Sequence, residues 1–203
     1  MAATRPYRAG RRSTRSERTR AAILAAVREL LADGRFHEST AEEVAERAGV
    51  SRATLYQHFR SRVDMVDAIC DTFAVNPALV ELRRIVALPD ADAALAETIK
   101  HSVRFWVSED PVLRQLYGVA AIDPAAGDLV ERQRADRRGE MERLARNLRA
   151  AGRLRRGVGE RRAVSVLMLL TSYDAFRELR EAGLSDQEVA RALQESAAQL
   201  LLA

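Results

Sequence analysis

The chain contains a single cysteine, Cys70, so no disulfide framework can form within one copy, and a reducing cytoplasm suits it. No apolar run approaches the roughly 18 residues that a membrane span needs. The arginine-rich start lacks the apolar centre of a signal peptide. A cytoplasmic protein with no membrane partner is expected. Only one lysine stands against 32 arginines, a bias that reflects a GC-rich genome more than chemistry. Alternating strand patterns and internal repeats are both missing, which leaves an all-α chain.

Catalytic constellations are missing too. His37, His58 and His101 have no cysteine or carboxylate at metal-ligand spacing. Asp64, Asp67 and Asp71 recur on one face of one helix, the pattern of a solvated stripe. Gly152, Gly157 and Gly159 lack the Lys-Ser/Thr of a phosphate loop and follow no strand. No G-x-S-x-G occurs. An enzyme is therefore not expected, and neither a catalytic residue, a metal nor a cofactor is assigned.

What is present gathers near the start. Residues 1–62 hold 13 arginines and 7 acidic residues, a net of +6, whereas the remainder carries a net of −2. Such an uneven distribution suits a polyanion-binding module followed by a neutral one. Within the basic part, the segment Thr40 to Phe59 reads as helix, tight turn, helix. Thr40 and Glu43 have the spacing of a capping box, which starts the first helix at Thr40. Val44 and Ala48 face inward, and Ala45 sits where two crossing helices approach closely. Gly49 stands where only glycine turns left-handed at low cost. Ser51 caps the second helix, with Val50 and Leu55 stapled across that cap.

The faces of the second helix differ. With Leu55 taken as inward at about 100° per residue, Phe59 and Arg52 fall close to it. Ala53, Tyr56, Gln57 and Arg60 point away from the core. Glutamine can pair with adenine in the major groove, arginine with guanine, and a small apolar side chain can meet a thymine methyl. Helix starts with free N–H groups, such as those at Thr40 and Ser51, suit phosphates.

The segment AGVSRATLYQHF, the following SRVDMVDAI and the preceding RAAILAAVRELLADGRF resemble the DNA-binding domain of the TetR (tetracycline-repressor-like) family of transcriptional regulators. The family's usual Ser-Lys pair is Ser61-Arg62 here, and arginine keeps the charge and the phosphate reach. The resemblance implies that Tyr56 and His58 touch phosphates. The candidate DNA-contact set is Thr40, Ser51, Arg52, Ala53, Thr54, Tyr56, Gln57, His58, Arg60 and Arg62.

Three regions are expected. Residues 1–15 read as an unstructured basic arm able to reach phosphates or the minor groove. Residues 16–61 form the helix-turn-helix domain, with helix 1 from Ser16 to Asp33 burying Ile23, Ala26, Val27, Leu30 and Leu31. Residues 62–203 form a larger helical regulatory domain. Its helices are placed near 62–75, 77–88, 91–108, 111–122, 125–151, 159–182 and 185–202. Residues 163–179 are apolar on more than one face, and the final helix repeats Val189, Leu193, Ala197 and Leu200. That surplus calls for a second copy, giving a homodimer through the two C-terminal helices. Aromatics are scarce at 5%, yet they cluster mid-chain. Phe73, His101, Phe105, Trp106, Tyr117, Met168 and Tyr173 are the candidates to line a pocket for a small apolar ligand.

The resemblance implies a sequence-specific regulator of double-stranded DNA, a repressor released from a palindromic operator by a small-molecule effector. The alternative is a ligand-independent DNA-binding protein whose C-terminal domain serves dimerisation or a protein partner.

Overall fold

The computed structural model describes residues 7–203, with side chains from Thr14 onward. It is all-α: among the described residues ten helices follow one another, and the only β feature is an isolated antiparallel bridge between Leu154 and Leu202. In order they are α1 (Tyr7–Ala32), α2 (Ala41–Arg47), α3 (Arg52–His58), α4 (Arg62–Phe73) and α5 (Pro77–Ile85). Then come α6 (Ala91–Ala120), α7 (Pro124–Ala150), α8 (Glu160–Leu170), α9 (Tyr173–Glu181) and α10 (Asp186–Leu201). Two compact units emerge among the described residues: those up to Asp71 with 111–128, and residues 72–110 with 129–203. A single boundary was expected between residues 61 and 62. The division falls ten residues later, within α4, and again within α6 and α7.

The N-terminal unit is built on the α1 stripe. Ile23, Ala26, Val27, Leu30 and Leu31 are buried, as their spacing predicted, together with Phe36, Val44, Ala45, Leu55 and Phe59. Ala48 is only half-buried, so α2 turns its inward face through Val44 and Ala45 instead. Helix α1 starts at Tyr7 rather than Ser16. Residues 7–15, expected within an unstructured arm, continue its backbone, and residues 1–6 lie outside the described residues. Alanine and arginine are strong helix formers, a preference that the missing hydrophobic period concealed.

The C-terminal unit buries Leu82, Ile85, Ala94, Leu95, Ile99, Met141, Leu144, Leu148, Leu167, Val189, Leu193, Ala197 and Leu201. Polar ties close it. Arg153 grips Asp92 with two parallel bonds, Nε to Oδ1 at 2.9 Å and Nη2 to Oδ2 at 2.6 Å. Asn147 donates to the Leu88 carbonyl at 2.8 Å, and Gln194 to the Ala96 carbonyl at 2.8 Å. Ser185 and Glu188 complete a reciprocal cap at the start of α10.

Three element boundaries differ from the sequence reading. The helices expected at 91–108 and 111–122 are one, α6, with Pro111 inside it. Proline removes one hydrogen bond and bends a helix without having to end it. The helix expected over 159–182 is two. Thr171 bonds back to the Leu167 carbonyl at 2.7 Å, and Ser172 accepts from the Ala175 N–H at 3.0 Å, which starts α9 afresh. In α10 the buried row ends at Leu201, while Leu200 is 48% exposed. A straight i, i+4 progression from Val189 leads to Leu201, not to its neighbour. Leu169 of α8, at 64%, is the other large aliphatic side chain left outward on these two helices.

Candidate nucleic-acid interface

Two short helices can be placed accurately only if both their ends are fixed, and here local bonds fix them. Thr40 accepts from the Glu43 N–H at 3.1 Å and starts α2. Only this half of the expected capping box forms, because the Glu43 carboxylate is drawn to Arg35 at 2.8 Å. At the far end Gly49 adopts a φ of +66°. Gly49 N–H bonds to the Glu46 carbonyl at 3.0 Å and Val50 N–H to the Ala45 carbonyl at 2.9 Å. This pair of bonds closes a helix into a left-handed exit. Ser51 then accepts from the Thr54 N–H at 3.1 Å, and its hydroxyl also pairs with that of Thr54 at 2.8 Å. Both capping side chains are exposed.

Helix α3 hangs on one anchor, Leu55, which has no exposed surface, and on Phe59 just past its end. The residues opposite, Ala53, Tyr56, Gln57 and Arg60, are exposed as the helical spacing predicted. Thr54 and His58 are half-buried on the flanks. Arg52 departs from expectation: it turns outward, pairs with Glu42 and lies 5.5 Å from the centre of the Tyr56 ring. Its pairing with Tyr56, and then with Glu42, raises its pKa above the ordinary arginine value, so the group stays charged.

Arg62 departs further. Placed by the sequence reading at a phosphate, its guanidinium folds back onto the protein. One terminal nitrogen donates to the Ser39 carbonyl, the other to the Phe36 carbonyl, and the head lies 4.3 Å from the centre of the Phe36 ring. Burial lowers its pKa from the ordinary value. Next to it, Ser61 accepts from the Asp64 N–H at 3.1 Å, and Asp64 accepts from the Arg60 N–H at 2.9 Å. This reciprocal pair fixes the turn from α3 into α4. A cleft of about 120 Å³ remains here, bounded by Phe36, Val44, Tyr56, Arg60, Arg62 and Met65.

The candidate ligand residues are mostly brought together in the C-terminal unit. Phe73 meets Phe105 edge-on with ring centres 5.6 Å apart, Phe105 meets Trp106 at 4.8 Å, and Trp106 meets Tyr173 at 5.5 Å. The ladder continues to Phe176 at 6.1 Å. Met168 is buried in the same unit. His101 is buried against its own helix, with Nδ1 3.0 Å from the Glu97 carbonyl. Tyr117 falls in the N-terminal unit.

Residues 23–69 match the family described as bacterial regulatory proteins, tetR family. This chain carries a TetR-family DNA-binding domain. The match covers α1 from its buried stripe onward, α2, α3 and most of α4. The HTH-type transcriptional activator FasR of Mycolicibacterium smegmatis is 42% identical over 69 residues, 34% of this chain and 31% of that protein. The HTH-type transcriptional regulator YdeS of Bacillus subtilis is 32% identical over 113 residues, 54% of this chain and 53% of that protein. The chain thus spans about half, or less, of the length of these curated relatives. The fold likeness is broader. The structure of a SmeT–triclosan complex superposes with a TM-score of 0.73 at 19% identity, covering 91% of this chain and 92% of the other.

Beside this TetR-family domain, several polar groups of the C-terminal unit escaped the sequence reading. Tyr173 donates to Asp110 at 2.6 Å. The Thr171 carbonyl, left open where α8 stops, accepts from Trp106 at 3.2 Å and from Arg137 at 2.5 Å. Glu109 is buried and accepts from Asn76 at 2.9 Å. Partners 33 to 65 positions apart leave no periodic trace in a sequence. Only the Thr-Ser pair at 171–172, a familiar helix-ending combination, carried a local signal.

Proposed function

We propose that the chain is a sequence-specific transcriptional repressor. In this reading it occupies a palindromic operator as a homodimer and leaves it when a small, largely apolar ligand enters the C-terminal unit. The observation that carries the DNA part is the outward face of α3. Ala53, Tyr56 and Gln57 are exposed on a helix whose entry and exit are both fixed by bonds. Gln57 and Ala53 would read base edges. Thr40, Ser51, Arg52, Thr54, Tyr56, His58 and Arg60 surround them and would position the helix on phosphates. Two copies would set their recognition helices about 34–36 Å apart, one turn of DNA. Leu169 and Leu200, exposed on α8 and α10, support a second copy packing on those helices.

The ligand part rests on the aromatic ladder and on the triclosan bound by SmeT, which shares the fold. A ligand that prefers the DNA-free form by a few kcal/mol suffices for release, since about 1.4 kcal/mol is a tenfold change in population. Helix α4 carries the chain from one unit into the other and would transmit the change. Sequencing the genomic fragments retained by the purified protein at about 0.15 M salt tests the DNA reading. A shared palindrome with half-sites one turn apart is expected; retention without any common sequence sinks it.

A second reading has its own support. Phe73, Phe105 and Tyr173 are at most 4% exposed, as in a closed core, which favours a ligand-independent regulator whose C-terminal unit serves dimerisation or a protein partner. A thermal-shift panel of small apolar compounds, triclosan included, separates the two. A compound bound by the native state raises Tm, and a flat panel favours the second reading. FasR is named as an activator, so the sign of regulation is read from transcription with the chain present and absent.

A further inference from the structure

We infer that Arg62 is a positioning residue for sequence reading, holding the loop between α1 and α2 so that α3 is presented at a fixed angle. The inference rests on the proposed reading of bases by α3 and assigns Arg62 a task other than phosphate contact. The first residue of α4 reaches back 26 and 23 positions to the Phe36 and Ser39 carbonyls. Ser39 immediately precedes Thr40, the cap that fixes where α2 begins. Guanidinium is suited to this: its planar fork serves two acceptors at once while its face stacks on the Phe36 ring. Nothing else on the side chain is needed for that geometry, and both terminal nitrogens are spent on it.

The neighbourhood is equally specific. Phe36 is buried, and its carbonyl also accepts the Ser39 hydroxyl at 2.8 Å, so the loop is tied at both residues. Tyr56 of α3 and Arg62 border the same cleft. A shift of the loop therefore displaces α2 and, through the Gly49 turn, the exposed face of α3. Without the guanidinium the Ser39 carbonyl loses that donor and would turn toward water, while the Phe36 carbonyl keeps only its bonds from Ser39. The cap at Thr40 would follow the loosened loop.

The two roles for Arg62 predict opposite results. A phosphate contact contributes to every sequence alike, and its loss reduces the salt slope of log Kd by about 0.9. A positioning residue leaves the slope unchanged and erodes the preference for the right bases. The experiment uses the full chain, the duplex that it selects from a random pool, and a scrambled duplex of the same composition. Binding is measured over a range of salt, well below the melting point of each variant. For Arg62→Ala the expected result is an unchanged slope with discrimination between the duplexes reduced about tenfold or more. Arg62→Lys, which keeps charge but has neither fork nor planar face, is expected to keep the slope and lose part of the discrimination. It also serves if the alanine variant does not fold. A slope reduced by about 0.9 with equal loss on both duplexes overturns the inference in favour of a phosphate contact. Unchanged discrimination in both variants, with only Tm lowered, overturns it in favour of plain bracing. If the unaltered chain selects no sequence, the base-reading proposal itself fails, and this inference with it.

Discussion

The two units hold themselves together by opposite means. In the N-terminal unit the functional helices are seven residues long, too short to be stable alone. They depend on single side chains: one cap each, one glycine turn and one anchor, Leu55. The C-terminal unit has longer helices, α8 burying five residues and α10 four, and its polar bonds join residues far apart in the chain. One unit is fixed by local chemistry and the other by packing. Local fixation leaves the recognition face free, because the bonds that hold it use the ends of the helices and not the outward side.

That contrast can be broken most severely at Leu55. Leu55→Ala removes the only buried anchor of α3 and should cost about 2–5 kcal/mol. Hydrogen exchange should show loss of protection through α1–α3, with α8–α10 little changed; equal loss in both units would mean that they do not hold separately. Gln57→Ala should leave stability intact and cost about 1–3 kcal/mol on the selected sequence. Equal weakening on all duplexes would remove Gln57 from the base-reading set. On the other side, Tyr173→Phe deletes the bond to Asp110 and should lower the stability of the C-terminal unit by about 1–2 kcal/mol, with DNA affinity retained when measured below Tm. Ser51→Ala should cost about 1 kcal/mol, confined to exchange in α3.

The smallest effect concerns acid. The bond from Arg153, more than its charge, holds the Asp92 carboxyl below its ordinary value of 3.8. A carboxylate with a depressed folded pKa contributes stability fully present above that ordinary value and lost as pH falls through the folded one. Asp92→Asn should therefore lower Tm slightly at pH 7, and the difference should shrink as pH falls below 3.8 and vanish once the folded carboxyl is protonated as well. A difference that persisted at low pH would assign the effect to shape and not to charge.

How much of this was legible follows the same division. Caps, turn and stripe at Thr40, Gly49, Ser51 and Ile23–Leu31 are encoded within a few residues of where they act, so the helix-turn-helix could be read directly. Arg62 could not. Its residue type and neighbours fit a phosphate contact, and only the fold shows that two carbonyls more than twenty positions away already hold it. Helix α6 passed through Pro111 because packing overrode a local breaker, whereas the break at Thr171 arose from two hydroxyls inside a strongly apolar run. Tyr117 was grouped with the other aromatics by composition, which says nothing of the compact unit a residue enters.

The carbonyl of Thr171 gives this molecule a built-in optical reporter. Trp106 is the only tryptophan in the chain, it is buried, and its indole N–H ends on that carbonyl, with the Arg137 guanidinium 6.0 Å from its ring centre. Indole emission responds to both the hydrogen bond and the nearby cation. Closure or opening of the α8–α9 break should therefore shift the emission maximum of the unlabelled protein. One spectrophotometer cuvette, titrated first with DNA and then with candidate effectors, would follow the C-terminal unit while the N-terminal unit does the binding.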